Sequence, residues 1–595
     1  MKKTALLLLI SFIFLTTLQS QDILPPVLPW SGKSEALIVK KKNPWITPSE
    51  VSGLTETPDY KTTMAWLSKL VEASPLLSMR SIGMSEQGRP IQMIIASKEG
   101  KFEASDIVNS PKPAFLFHAG IHSGEIDGKD AGMMLLRDIA MGKKKALLDD
   151  VNLLFIPILN VDGHERKSEY TRVNQRGPKV MGWRTNAQNL NLNRDFTKIE
   201  TAGVQAVIQV INDYDPELYV DLHVTDGADY QYDITYGFAE KSSYSPTITK
   251  WLSEELKPKV DDALQENGHI PGPLMFAKND RDFTEGNTEY AFSPRYSDSY
   301  GNLRHVPSIL VENHSLKPYN QRVLGTYVFL EAAINVLASK GPLLNEMIEN
   351  DLKLRPDSLT LAYEEAEGPP DSMQLEGIKS VLVKSKYTHT EYVQWTGQTT
   401  TETIANIKIS KASTKVKVPS AYWVPAEWSE VIEKLQHHGV EMETLTTTQT
   451  KTVNQYFLTS YKVGEPYEGR VRLEDIKTES ISREVTYYPG SVRIPTDQPL
   501  GELVVALLEP SAPDGFLQWG YFLPILSQTE YIEAYVIEPL IGKMLSEDPD
   551  LKARFESKMK TDSAFAKSPK SIYEWFYAQT PYYDQEWKVV PIGVE

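Results

Sequence analysis

The sequence predicts an α/β fold: a mixed, mostly parallel sheet flanked by helices, followed by a C-terminal β-rich or α+β domain. Several short runs, such as residues 114–117 and 151–159, are apolar at all or nearly all positions, which is typical of strands buried on both faces. Segments whose apolar residues have helical spacing alternate with these runs. Polar residues cluster where the runs end, and open α/β sheets bind ligands at the carboxyl ends of their strands.

The elements of the N-terminal half follow from these patterns. Residues 59–72 place Met64, Leu67 and Leu70 on one helical face. A hairpin follows, with its turn at residues 85–88 and its second strand at 90–96. The other strands are predicted at 112–121, 151–159, 217–224 and 307–312, and the other helices at 127–139, 199–212, 247–267 and 327–339. Together they predict one domain over residues 45–345.

The C-terminal half has a different composition. Residues 379–461 are rich in Thr, Val, Lys and Tyr in short alternating runs, which favours β structure. Residues 428–438 predict a helix that Gly439 ends, and the run GELVVALL at 501–508 predicts a strand. Helical segments are predicted near the C-terminus. We expect residues 370–595 to form a separate accessory domain, and no motif in it indicates a role, a partner or an oligomeric state.

The N-terminus predicts export. Lys2 and Lys3 precede an apolar run at residues 6–15, and that run is too short to span a bilayer comfortably. We therefore expect a signal peptide at residues 1–20, a linker or arm at 21–44, and a periplasmic or extracellular location; an N-terminal membrane anchor is the alternative. The net charge of -17 argues against binding to nucleic acid or anionic membranes. The chain has no cysteine, so its cores alone must stabilise it.

His122 and Glu125 lie three residues apart where a buried strand ends. A catalytic zinc needs three protein ligands. Two ligands on one short loop have a relative geometry that the loop itself fixes. His223 ends another apolar strand and offers a third ligand. The alternative for His223 is a histidine that is hydrogen-bonded within the core. The pattern predicts a zinc site.

Three further groups of residues suit hydrolytic chemistry at a metal. Glu312 also ends an apolar strand, where a carboxylate is costly unless it faces a cleft or a partner; it is a candidate general base or half of a structural ion pair. Arg184 and Arg194 frame a run that contains Asn193. Arginines near zinc stabilise a developing oxyanion or hold a carboxylate. Surface arginines on a turn are the alternative.

The order of these motifs resembles the zinc metallocarboxypeptidases of the carboxypeptidase A type, the M14 peptidases, in a bacterial secreted form with a long C-terminal extension. The resemblance covers residues 45–345 and rests on the motifs IGxSxxGRPI at 82–91, HxxE at 122–125, NxDG at 160–163, WR at 183–184 and NxNRDF at 191–196, and on the two strand-ending residues His223 and Glu312.

The resemblance implies a role for each matching residue. His122, Glu125 and His223 match the ligands of one zinc ion per chain. Glu312 matches the general acid and base that activates water. Arg184 matches the arginine that stabilises the oxyanion. The residues Asn193 and Arg194 match the pair that holds the terminal carboxylate of a peptide.

Two positions depart from the family. Gly124 stands where the animal digestive enzymes carry an arginine that serves an outer subsite. The family's substrate-covering tyrosine has three candidates, Tyr290, Tyr296 and Tyr300. We favour Tyr300 or Tyr296, because they lie in the loop directly before the strand of Glu312.

The predicted function is removal of C-terminal residues from peptides or proteins that carry a free terminal carboxylate. The sequence leaves two alternatives open. One is a zinc amidase that acts on cell-wall peptides or on another amide with a nearby carboxylate. The other is a peptide-binding protein on a peptidase scaffold. The preferred terminal side chain is open as well.

Overall fold

The computed structural model describes residues 23–225, 227–240, 244–279 and 282–595. The predicted signal peptide, residues 1–20, lies outside these ranges. The strands of the N-terminal half are β1 Leu77–Met84, β2 Pro90–Ala96, β3 Ala114–Ala119, β4 Asn152–Ile156, β5 Leu218–Val224, β6 Ile234–Gly237, β7 Pro271–Gly272, β8 Ala277–Asn279, β9 Asp282–Glu289 and β10 Ser308–Asn313.

The helices of this half lie between and around the strands in sequence. They are α1 Pro48–Val51, α2 Tyr60–Ala73, α3 Ala104–Val108, α4 Asp127–Ala140, α5 Val161–Glu165, α6 Ala202–Tyr214, α7 Pro246–Trp251, α8 Lys257–Glu266, α9 Ser297–Leu303 and α10 Tyr319–Asp351. The predicted helix at 327–339 is the middle of α10, which has 33 residues. Its apolar stretch is long enough to cross a membrane, but 72% of that stretch is buried inside the protein, as expected of a core helix.

The central sheet has the order β1-β2-β4-β3-β5-β10-β6-β7. The four central strands β4, β3, β5 and β10 are parallel. Strand β2 pairs antiparallel with β1 and β4, β6 pairs antiparallel with β10, and β7 pairs parallel with β6. The predicted mixed, mostly parallel sheet is therefore confirmed. Its register places Glu312 of β10 beside His223 of β5. Because parallel strands end at one edge, the residues that follow β3, β4, β5 and β10 meet there.

The C-terminal half contains long β-ribbons and a group of helices. Its strands are β11 Ser358–Glu365, β12 Asp371–Lys384, β13 Glu391–Lys417, β14 Ala421–Val424, β15 Glu443–Thr444, β16 Gln449–Tyr467, β17 Arg470–Tyr487, β18 Val492–Pro495 and β19 Val589–Val594. Its helices are α11 Ser429–His437, α12 Gly501–Leu508, α13 Ala534–Glu547, α14 Pro549–Thr561, α15 Ser563–Ala566 and α16 Pro569–Tyr577. The predicted mixture of strands and helices is confirmed.

One predicted element of this half is wrong. The run GELVVALL, expected as a strand, is the helix α12. Seven of its eight residues are buried, so it is apolar on all sides. A short apolar run of this kind fits a buried strand and a buried helix equally well, because periodicity cannot separate the two.

The two halves share buried structure. Tyr422 and Trp519 of the C-terminal half belong to the same continuous apolar core as Phe117 of β3 and Val220 of β5. Strand β13 also pairs in parallel with β9, so strands of both halves form one sheet with the order β11-β13-β9-β8. The two halves therefore share one apolar core and one sheet.

Helix α4 fixes the loop that carries His122 and Glu125. Asp127, at its first turn, pairs with Arg322 of α10 through contacts of 2.9 and 3.2 Å, and both side chains are buried. Gly128 lets the helix approach the sheet closely: a Cβ atom there would lie 2.5 Å from Leu222 Cδ1 and 3.0 Å from Ala119 Cβ. The helix can sit this close only because residue 128 has no side chain.

We expect Gly128→Ala to destabilise the protein by about 1–3 kcal/mol, because an added methyl group in a packed core forces its neighbours to move. Urea unfolding followed by tryptophan fluorescence should show a lower midpoint. Gly542→Ala is the matched control: its Cβ would meet nothing within 4 Å in the exposed helix α13, so alanine should be neutral or stabilising there. Equal midpoints for the two variants would contradict the close approach of α4.

Candidate metal centre and active site

A tight turn after β3 brings His122 and Glu125 together. The backbone N–H of Glu125 donates to the carbonyl of His122 at 2.8 Å, so both side chains point to one side of the loop. His122 Nδ1 lies 3.1 Å from Glu125 Oε1. His223, at the end of β5, places its Nδ1 3.0 Å from Glu125 Oε2. One candidate ligand atom from each of the three residues lies within 4.8 Å of the other two, and all three residues are buried.

The Nε2 atom of each histidine, on the side of the ring away from Glu125, lies next to a hydrogen-bond acceptor. His122 Nε2 lies 2.9 Å from Asn191 Oδ1, and His223 Nε2 lies 2.7 Å from Asp221 Oδ2. Asn191 Oδ1 also accepts from the backbone N–H of Asn193, so it is an oxygen, and His122 Nε2 carries the proton. His122 Nδ1 is then a buried lone pair, and it makes no hydrogen bond within the described residues.

The charges around the three residues favour a cation. Burial lowers the pKa of His122 to about 4, so this imidazole is neutral. Burial would raise the pKa of the Glu125 carboxyl, but the Arg172 guanidinium beside it outweighs burial and holds that pKa well below its usual range. Burial would lower the pKa of His223, yet Asp221 beside it raises that pKa well above its usual value. The carboxylates thus stabilise positive charge at this point.

A cleft of about 130 Å³ opens over His122 and Glu125. His122, Glu125, Arg184 and Glu312 all line it. Arg184 Nη1 lies 3.2 Å from Glu125 Oε1, and the Arg184 side chain is 38% exposed. This exposure leaves the guanidinium accessible from the cleft. A loop residue, Arg184, and a strand-end residue, Glu312, which are distant in sequence, therefore reach the same opening.

Asn193 and Arg194 lie on a loop beside the cleft. Asn193 Oδ1 accepts from the backbone N–H of Ser297 at 2.9 Å, and its Nδ2 lies 3.3 Å from His223 Nε2. Arg194 Nη1 donates to the carbonyl of Asn193 at 2.6 Å, and its guanidinium stacks 4.4 Å from the ring of Tyr296. The two residues are therefore held next to the buried histidine, on partners of their own.

The sequence around this site resembles that of zinc carboxypeptidases. The sequence pattern of the peptidase M14 family, described as zinc carboxypeptidase, matches residues 63–305. Residues 63–305 form a zinc carboxypeptidase domain of peptidase family M14. The chain is a metallocarboxypeptidase, and its cofactor is zinc. The matched range ends just before Glu312.

The relatives include fungal and animal carboxypeptidases. Carboxypeptidase 2 of Trichophyton equinum is 20% identical over 520 residues, which cover 82% of this chain and 88% of the relative. Carboxypeptidase Z of Gallus gallus is 30% identical over 149 residues, 23% of this chain and 21% of the relative. The crystal structure of carboxypeptidase A from Helicoverpa armigera overlaps 48% of this chain and 75% of its own, with a TM-score of 0.36 and 17% identity.

The donor set fits the zinc of this family. Two imidazoles and one carboxylate are a known ligand set for catalytic zinc, which keeps a position open for water or substrate. The buried lone pair of His122 Nδ1 and the low pKa of Glu125 give a neutral and an anionic donor. Asn191 and Asp221 supply the outer hydrogen bonds that orient ligand histidines in such sites. His223 would lose a proton as the metal binds.

Two motifs of this zinc carboxypeptidase hold the site together rather than line it. Asn160 Nδ2 donates to the carbonyls of Ile121 and Arg184, so it joins the loop of His122 to that of Arg184. The carboxylate of Asp162 accepts from Ser85 Oγ at 2.8 Å and from Arg89 Nη1 at 2.6 Å. The hairpin motif and the NxDG motif thus form one hydrogen-bonded unit behind the site.

Arg172 is a contact of the site that the sequence analysis missed. Its Nη1 lies 2.9 Å from Glu125 Oε1, and its side chain is only 10% exposed. It fills the space that Gly124 leaves open, since a Cβ on Gly124 would lie 2.2 Å from Arg172 Cδ. Gln175 holds it from behind, with Oε1 2.5 Å from Arg172 Nε. In the sequence, Gly124 was the one indication of this contact, because a glycine before Glu125 leaves room for a side chain from another loop.

The prediction for the substrate-covering tyrosine needs a correction. Tyr300 is fully buried, and its hydroxyl bonds to His438 Nδ1 at 2.8 Å and to Arg304 at 3.0 Å. A side chain held in this way belongs to the core and does not reach the cleft. Tyr296 lies beneath the guanidinium of Arg194 and remains a candidate. Tyr290 is 50% exposed and lines a neighbouring cavity, so it is the better placed of the three.

That neighbouring cavity has a volume of about 240 Å³. It shares Leu274 and Phe276 with the cleft at the metal site. Aromatic side chains form much of its wall, namely Tyr236, Phe238, Phe276, Tyr290 and Phe292. Met373 and Asn406 of the C-terminal half complete it. The C-terminal half therefore lines a space that continues from the active-site cleft.

We expect the purified wild-type chain to hold one zinc ion, and His122→Ala and His223→Ala to hold far less, because each variant loses one of three ligands. Metal analysis after dialysis measures this directly. His437→Ala is the matched control, because this histidine is exposed. Full zinc content in either ligand variant would contradict the assignment of the metal site.

Proposed function

We propose that this metallocarboxypeptidase hydrolyses the last peptide bond of peptides or proteins that end in a free carboxylate. The observation that carries the proposal is the shared cleft: Arg184 and Glu312 line the same opening as His122 and Glu125. A base, a positive donor and a metal site within one small space suit hydrolysis of a carbonyl group. When bound, zinc supplies a Lewis acid that polarises the carbonyl group and lowers the pKa of water.

The protein groups take three roles in this proposal. Glu312 accepts a proton from a water molecule while the oxygen of that water adds to the carbonyl carbon. It then gives the proton to the amine nitrogen as the C–N bond breaks. Arg184 donates hydrogen bonds to the carbonyl oxygen, where negative charge develops. His122, Glu125 and His223 hold the metal, and Asn191 and Asp221 keep the two imidazoles in position.

The same proposal explains why only the terminal bond would be cut. Arg194 and Asn193 lie beside the metal site, and a guanidinium with an amide donor suits recognition of a carboxylate. A substrate anchored there presents its last carbonyl to Glu312. The aromatic cavity lies next to the cleft, and we propose that it receives a substrate side chain. The exposed Tyr290 stands at its wall.

We further propose that the chain is exported to the periplasm or the extracellular space. The proposal rests on the sequence of residues 1–20, in which Lys2 and Lys3 precede an apolar run. Peptides with a free C-terminus are the proposed substrates in that compartment. A chain that folds without disulfides suits either destination, because its core is large.

Glu312→Gln should keep zinc and lose turnover by about 100-fold or more, because a neutral amide cannot accept the proton. Zinc analysis and initial rates on one peptide measure the two effects separately. Glu266→Gln is the control, since this glutamate is exposed at the end of α8. Unchanged turnover in Glu312→Gln would remove Glu312 from the proposed mechanism.

Arg194→Ala should raise KM for a free-acid peptide by about 30-fold or more, because loss of a charged hydrogen-bond partner costs about 2 kcal/mol or more. Its zinc content should equal that of the wild type. Arg355→Ala is a suitable control, because that partly exposed arginine pairs with Asp497 in the C-terminal half. If both variants show the wild-type KM, Arg194 does not hold the substrate carboxylate.

A further inference from the structure

The loop at residues 191–200 carries Asn193 and Arg194, and the C-terminal half holds much of its backbone. Three separate segments of that half supply the contacts. They are Lys434 Nζ to Ile199 O at 2.8 Å, His438 Nε2 to Thr197 O at 3.1 Å, Tyr521 OH to Lys198 O at 3.1 Å, Trp519 Nε1 to Thr197 Oγ1 at 3.0 Å, Arg470 Nε to Glu200 Oε1 at 2.5 Å and Glu468 Oε2 to Asn191 N at 2.7 Å.

Glu468 connects the C-terminal half to the metal site through one residue. Its Oε2 accepts from the backbone N–H of Asn191 at 2.7 Å. The side chain of Asn191 contacts His122 Nε2 at 2.9 Å and accepts from the backbone N–H of Asn193 at 3.0 Å. Two hydrogen bonds in series, through Asn191, therefore link Glu468 to the His122 imidazole. Two others in series, also through Asn191, link it to Asn193, which we propose to hold the substrate carboxylate.

The turn that presents Glu468 has an unusual backbone. Strand β16 ends at Tyr467, β17 begins at Arg470, and the two residues pair with each other. Glu468 and Gly469 between them have φ values of 48° and 80°. Glycine or asparagine usually occupies such positions in a two-residue hairpin turn, and a glutamate there costs about 1 kcal/mol or more. A residue with a strained backbone whose side chain makes a specific contact points to a role for that contact.

The neighbouring contacts fix the tip of the hairpin against the loop. A Cβ atom on Gly469 would lie 3.1 Å from Leu190 Cδ2, so the turn is already in van der Waals contact with the residue before Asn191. The guanidinium of Arg470 stacks 3.8 Å from the ring of Tyr521 while it pairs with Glu200. The tip therefore has no freedom to leave the loop without breaking several contacts at once.

We propose that the C-terminal half braces the active-site loop, and that Glu468 is a positioning residue that orients His122 through Asn191. The brace keeps the His122 imidazole aimed at the metal and keeps Asn193 and Arg194 in place. The part that concerns His122 rests on the zinc site alone. The part that concerns Asn193 rests on the proposed function.

Glu468→Ala in the full chain tests the proposal. We expect zinc to be held about tenfold less tightly in competition with a chelator, because outer contacts of ligand histidines typically contribute 10–100-fold to metal affinity. Glu468→Gln keeps an oxygen acceptor and should restore affinity to near the wild-type value. Glu465→Ala, near the end of β16, is the control, because Glu465 is exposed. The absorption spectrum of the cobalt-substituted protein should change in Glu468→Ala and not in the control.

A double-variant cycle tests the route through Asn191. Asn191→Ala keeps the backbone N–H that Glu468 contacts but removes the side chain that contacts His122. If Glu468 acts through that side chain, adding Glu468→Ala to Asn191→Ala should change zinc affinity little further. Fully additive effects would overturn the route, because independent sites add.

Activity measurements separate this inference from the proposed function. At saturating zinc, Glu468→Ala should raise KM for a free-acid peptide more than it lowers kcat, since the loop of Asn193 and Arg194 loosens. If the wild type cleaves no peptide, the proposed function fails, while weaker zinc binding in Glu468→Ala still supports the brace. If zinc affinity and the cobalt spectrum are unchanged in Glu468→Ala, the inference is overturned whatever the wild type cleaves.

Discussion

The carboxylate of Glu125 lies inside the protein, and groups from four parts of the chain contact it. Arg172, Arg184 and His122 approach Oε1, and His223 and the backbone N–H of Val224 approach Oε2, all at 2.9–3.2 Å. A buried ionised carboxylate is costly unless several partners surround it. The geometry of the site follows from this requirement, because each partner must be delivered by a different loop at the same sheet edge.

Much of the surrounding structure positions the groups that contact Glu125. The parallel register places Glu312 beside His223. Gly124 leaves room for Arg172, whose own backbone lies in the left-handed region with φ of 50°. Asn160 ties the loop of His122 to that of Arg184. The strained backbone of Arg172 and its close approach to Gly124 thus occur beside this carboxylate, and a functional arrangement is commonly kept at some such cost in stability.

The sequence predicted the parts of this arrangement that follow from strand ends and motif order. Residues that end apolar strands must meet at one edge of a parallel sheet, so His223 and Glu312 could be placed without coordinates. Arg172 could not, because its contact depends on the path of an irregular loop. Tyr300 was misassigned because position in a loop does not reveal burial. The helix α12 was taken for a strand because its residues are apolar on all sides.

The C-terminal half was the part that sequence patterns left without a role. Its contacts with the active-site loop go largely to backbone carbonyls and N–H groups, and such contacts leave no motif, since many side chains can make them. Its residues Met373 and Asn406 also line the cavity beside the cleft. Backbone contacts explain how a region with few recognisable features is built into the site.

We propose that the zinc site removes terminal residues from free C-termini. The decisive measurement is mass spectrometry of matched peptides with free and amidated C-termini after incubation with the zinc-loaded chain. We expect stepwise loss of single residues from the free-acid peptides and intact amidated peptides, with no products from the Glu312→Gln protein. Internal cleavage, equal cleavage of both sets, or intact free-acid peptides with zinc confirmed bound would contradict it.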